Sequence, residues 1–176
     1  MSPAKGIIVI NPNSNEHVTD SMNTALNSFR FANGPIIKSV TNLDGPPGIE
    51  SQQDADSAAV QVVDIIKRNN SADAFVIACF SDPGIFAARE VTNKPVFGIA
   101  ESGILTALSL GSSYGILAIL DTSVPRHIRY IRSLGLENRL AGDLAIGLSV
   151  AELSDEKKTF HRLQEVGRKL RDDSGA

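Results

Sequence analysis

The single cysteine of this 176-residue chain, Cys79, closes the apolar run Phe75-Val-Ile-Ala78 and stands three residues ahead of Asp82-Pro83. Asp followed by Pro is the order of a helix cap and a first-turn proline, so the cysteine falls where a buried strand ends and a helix begins. Free backbone N–H groups and the positive end of a helix dipole favour a thiolate at such a point. The same donors would hold the oxyanion of an enolate formed when a thiolate takes a proton next to a carbonyl. Position alone leaves two readings open, a packed small hydrophobe and a reactive thiol, and the first is the commoner.

Polar residues recur at comparable places. Asn11, Asn13 and Ser14 follow the apolar run Gly6 to Ile10, where they either cap a helix or reach a ligand. Glu101 reads as a first-turn acid or as support for a site. Arg126, Arg129 and Arg132, with His127 among them, read as a solvated basic face. His17, His127 and His161 are dispersed, with no carboxylate at ligand spacing, so no metal is expected. Neither GxGxxG nor a Walker A string occurs, and no nucleotide cofactor has motif support.

Short β-branched runs alternate with longer amphipathic stretches, the pattern of βαβ units around a parallel sheet, so the fold class is α/β. Strands are expected at Gly6 to Ile10, Pro35 to Val40, Ala74 to Ala78, Pro95 to Ile99, Tyr114 to Leu120 and Asp143 to Leu148. Helices are expected at Ser14 to Phe29, Gln52 to Arg68, Pro83 to Glu90, Ser102 to Leu110, Val124 to Leu134 and Ser154 to Leu170. Asn13 and Glu16 lie at capping-box spacing. The loop Asn42 to Ser51, with Gly45, Pro46, Pro47 and Gly48, is too long for a simple turn and is of the kind that serves sites. Gly6 to Ser14 is echoed by Gly115 to Ser123, which implies two similar lobes, 1–112 with four strands and 113–176 with two. The second lobe therefore reads as incomplete.

With 17 Lys and Arg against 20 Asp and Glu, the net charge of −3 argues against nucleic acid as the partner. One cysteine excludes a disulfide framework. There is no secretory signal pattern and no apolar run of membrane-spanning length, so a cytoplasmic protein away from membranes is expected.

Four stretches, Ile10-Asn-Pro-Asn-Ser14, Asp44-Gly-Pro-Pro-Gly-Ile-Glu50, Ala78-Cys-Phe-Ser-Asp-Pro-Gly84 with Ala88-Arg-Glu90, and Pro95-Val-Phe-Gly-Ile-Ala-Glu101, resemble in order the motifs of the hydantoin and allantoin racemases. That group belongs to the aspartate/glutamate racemase superfamily. The resemblance implies two pseudo-symmetric lobes and a cofactor-independent racemase acting on a small ureide, with one cysteine offered from each lobe. Carried over by motif, Cys79 is an acid/base thiol, and Asn11, Pro47, Ile49, Ser81, Thr122 and Ser123 line the substrate pocket. The family's second cysteine follows the helix that ends here near Leu170. The chain thus reads as C-terminally truncated, with a second proton left to water or another chain, and its open second lobe makes a homo-oligomer an expectation. The alternatives implied are a related enolate-forming decarboxylase or isomerase, and a non-catalytic remnant that binds a small carbonyl compound.

Overall fold

A computed structural model describes residues 6–174. The chain divides into two compact units, one formed by the residues up to Ile49 with Gln53–Ser102, the other by Glu50–Gln52 with the residues from Gly103 onward.

The first unit is a four-stranded parallel sheet in the order β2-β1-β3-β4, with β1 at Gly6–Asn11, β2 at Ile36–Thr41, β3 at Ala74–Ile77 and β4 at Val96–Gly98. Its helices are α1 (Glu16–Leu26), α2 (Gln52–Arg68) and α3 (Ile85–Val91), and α4 (Ile99–Leu110) begins in it. The central strands are apolar because both faces are covered: Ile10, Phe75 and Ile77 are fully buried. Helix α2 turns Ala55, Ala58, Val62 and Ile66 inward at spacings of three and four, with Asp54 in its first turn and Lys67 and Arg68 in its last. Its bounds are those the sequence predicts. Because the strand order reverses between β1 and β3, the carboxyl ends of these two strands flank a topological switch point, the usual crevice of an open α/β sheet.

The second unit pairs β5 (Tyr114–Ala118) with β6 (Leu140–Ala145), again in parallel, beside α5 (Val124–Ser133) and α6 (Glu156–Ser174). Ile104, Tyr114, Ile116 and Ile131 form one apolar cluster and Ile146, Leu148 and Val166 another.

Several boundaries differ from those expected. Strand β6 starts three residues before Asp143 and stops at Ala145 instead of Leu148, since Gly147, at φ 71°, breaks the extended run. Helix α1 is capped by Asn15, whose side chain accepts from His17 N, and not by a box of Asn13 with Glu16. Helix α3 starts at Ile85 instead of Pro83, because Asp82 (φ 42°) and Gly84 (φ 77°) are left-handed. A β-carbon at position 84 would also lie 2.7 Å from the Ala59 carbonyl oxygen.

Before α6, the Glu152 carboxylate accepts from Lys158 Nζ at 2.8 Å and from Ser149 N and Oγ at 2.9 and 2.8 Å. These bonds, Lys158's first, hold its carboxyl down at about 2. The folded value lies below the unfolded one, so this contribution to the start of α6 is complete above the ordinary carboxylate range and disappears as pH falls through about 2. A carboxyl-carbon NMR titration should place Glu152 near 2, well below the ordinary carboxylate range.

Among the described residues, β1 is paired on both edges and β5 with β6 alone. About every second amide of Tyr114–Ala118 should therefore exchange with solvent faster than any amide in β1, as residue-resolved hydrogen exchange will show.

Candidate active site

Two turns frame the switch point of the first unit. The first follows β1. Asn11 is fully buried and its side chain is committed within the protein: Oδ1 accepts from Asn13 N at 3.2 Å, and Nδ2 lies 3.0–3.1 Å from Asn13 Oδ1, Asn15 O and Thr19 Oγ1. Thr19 continues the network to Thr41 Oγ1 on β2 at 2.7 Å. The turn in turn fixes the loop that follows β2, since Asn42 Nδ2 donates to Pro12 O and Gln61 Oε1, and Ser14 N donates to Pro46 O. The two sequence readings of this turn, cap or ligand contact, thus gain a third element: the Asn11 amide holds the turn together, while Pro47 on the loop is exposed and Ile49 is buried.

The second turn follows β3. Ala78 N donates to Ile10 O at 2.8 Å, which sets the end of β3 against the end of β1 and brings Cys79 beside the Asn11 turn. Cys79 is half-buried and packs on Ile49, Ala55 and Ala58, so the structure brings Cys79 and Ile49 together. Ser81, half-buried, lies two residues on.

The Asp82 carboxylate does not cap α3, the helix that follows it. Its Oδ1 accepts from Ala100 N at 3.0 Å and its Oδ2 from Glu101 N at 2.8 Å, so it caps α4. That is why α4 begins at Ile99, three residues earlier than the sequence predicts, and why β4 ends at Gly98. The Glu101 carboxylate pairs with Arg89 Nη2 at 2.5 Å, and Arg89 also donates to Val96 O.

Thr122 and Ser123 belong to the second unit, in a single 3₁₀ turn at the end of β5. Thr122 is exposed and donates to Glu50 O at 3.2 Å, whereas Ser123 is buried and accepts from Arg126 Nη2 at 3.2 Å. The basic helix face is a correction to the expectation of a solvated stripe. Arg126 is buried and donates to Ser51 O, and His127 is buried with Nδ1 2.9 Å from Asp143 Oδ2; Arg129 and Arg132 are exposed. Both inward residues find polar partners inside the unit, which a helix-face pattern in the sequence does not reveal. Burial, with Asp143's charge second, pushes the Tyr114 hydroxyl up. Among the described residues no group of three His, Cys, Asp or Glu could hold a metal, and no helix is long and apolar enough to cross a membrane.

Residues 7–176 match the model of a family described as Asp/Glu/Hydantoin racemase. The chain belongs to that family. It is 34% identical over 175 residues to a hydantoin racemase of Paenarthrobacter aurescens, an alignment that covers 97% of this chain and 73% of that one. Its fold is similar to that of an allantoin racemase from Klebsiella pneumoniae, with a TM-score of 0.91 and 31% identity over 98% of this chain and 71% of that one. An arylmalonate decarboxylase mutant shares the fold alone, at a TM-score of 0.63 and 16% identity over 97% of this chain and 74% of that one. The α/β fold expected from the sequence is that of these relatives, and the activity class of the family is isomerase, a racemase.

The Asn11 network predicts a stability cost with a definite origin. Asn11→Ala removes the acceptor of the buried Asn13 N–H and the donor to Thr19, and each buried polar group left unpaired costs about 1–3 kcal/mol. Chemical denaturation should show a loss of about 2 kcal/mol or more, against less than about 0.5 kcal/mol for the exposed Asn93→Ala.

Proposed function

We propose that the protein racemises a hydantoin-type ureide, hydantoin or allantoin, by proton transfer at the ring carbon next to a carbonyl, with Cys79 as the acid/base group. The observation that carries this reading is the position of Cys79 at the carboxyl end of β3, half-buried beside the Asn11 turn at the switch point of a racemase-family sheet.

The chemistry follows from the ring. Its α C–H bond lies next to a carbonyl, so removing the proton leaves an enolate whose charge rests on that oxygen, and no cofactor is required to take up electrons. The Cys79 thiolate takes the proton and becomes a thiol. The Ser81 hydroxyl, two residues on, is a donor for the oxyanion, and the turn at Asn11 with Pro47 and Ile49 shapes the ring's surroundings. Returning a proton to the same face regenerates the starting enantiomer. Inversion requires delivery to the opposite face by a group other than Cys79.

Enantiopure 5-substituted hydantoins and allantoin incubated with the chain in heavy water test this. Deuterium should enter at the α-carbon, with inversion where a second proton donor is present, and Cys79→Ser should lower incorporation at least about 100-fold, as expected on removing a general base. Undiminished incorporation in that variant, or none with the unaltered chain, would overturn the proposal.

A further inference from the structure

We propose that Asp82 is a positioning residue for the proton-transfer chemistry, holding the Cys79 thiol in place by capping α4 from a distance. The proposal rests on the reading of Cys79 as the proton-transferring thiol.

Strand β4 runs into α4 from Gly98 to Ile99 with no residue between them, so the helix has no turn of its own from which a side chain could cap its first N–H groups. The Asp82 carboxylate, 2% exposed, occupies that place and takes the N–H groups of both Ala100 and Glu101. Gly98 makes room for it, since a β-carbon there would lie 2.1 Å from Asp82 Cγ. The chain meets this demand through a left-handed residue, φ 42°, that few side chains other than Asp and Asn adopt readily.

The same residue is bonded on its backbone to the thiol's own segment. Asp82 N donates to Cys79 O at 3.0 Å, and Ile85 N donates to Asp82 O at 3.1 Å. Glu101 closes the arrangement through Arg89 of α3, which also holds Val96 O of β4. The loop from Cys79 to Gly84 therefore cannot shift without either moving α4 or leaving two N–H groups and a carboxylate without each other. Asp82 thus takes two of the first-turn N–H groups of α4 and ties the loop that carries Cys79 to the start of that helix. Proton abstraction depends on placement to within about 1 Å, a displacement that costs about 100-fold in rate.

The test compares Asp82→Gly, Asp82→Asn and Gly98→Ala in the full chain. Glycine keeps the left-handed backbone and deletes the carboxylate, asparagine keeps one acceptor and the conformation, and Gly98→Ala displaces an intact carboxylate. Two readouts are taken on each: the rate of iodoacetamide alkylation of Cys79, and kcat and KM for α-proton exchange. Asp82→Gly and Gly98→Ala should lower kcat about 10- to 100-fold with KM within about threefold, and change the alkylation rate at least about threefold. Asp82→Asn, which keeps one acceptor, should fall between these variants and the wild type, with kcat lowered about two- to tenfold at unchanged KM. Variants that retain wild-type kcat and alkylation would overturn the proposal, as would an Asp82→Asn as impaired as Asp82→Gly. If the other two fail to fold, Asp82→Asn alone decides: a fall in kcat of about two- to tenfold at unchanged KM supports the clasp, and wild-type values overturn it. Alkylation needs no substrate, so absence of exchange in the unaltered chain would count against Cys79's chemistry and leave the clasp to be decided by alkylation.

Discussion

Two backbone N–H groups at the start of α4 need an acceptor, and the buried carboxylate of Asp82 supplies it. A charge so far from water is tolerated only where donors surround it, and a carboxylate with two aligned N–H groups meets that condition. From this one contact follow the early start of α4, the short β4, the glycine at 98 and the left-handed turn that ends the Cys79 loop. Local preference alone would have placed a helix start at Pro83; the tertiary contact moves it to Ile85.

The other side of the switch point is built on the same principle with neutral groups. Asn11 satisfies donors and acceptors of a turn that would otherwise be buried and unpaired, and its partners extend to β2 and the following loop. A rigid polar turn thus stands on each side of the crevice, while apolar packing from Ile10, Phe75 and Ile77 holds the strands beneath. Rigidity of this kind serves the proton transfer proposed for Cys79, which depends on a fixed distance and angle.

Much of this was legible in the sequence. Periodicity located the six strands and six α-helices of the described residues, and the bounds of α2 emerge unchanged because its inward residues and terminal charges agree. The end of β3 just ahead of Cys79 was equally plain from Phe75 to Ala78. What escaped were contacts across space. Asp82 next to Pro83 has the local signature of a cap for the next helix, and nothing in that string discloses that its oxygens serve residues 18 and 19 positions later. Gly98, within the motif that also contains Glu101, was the available signal, since a glycine ending a buried strand marks a close approach. Arg126 and His127 look like members of a solvated stripe until Ser51, Ser123 and Asp143 are placed around them.

The contact on which this geometry depends can be observed directly by through-hydrogen-bond scalar coupling in isotope-labelled protein. Correlations are expected from the backbone nitrogens of both Ala100 and Glu101 to the Asp82 side-chain carboxyl carbon, with both amides protected from exchange. Absence of both correlations, with Ala100 and Glu101 amides exchanging as freely as those of an uncapped helix end, would contradict a site held by Asp82.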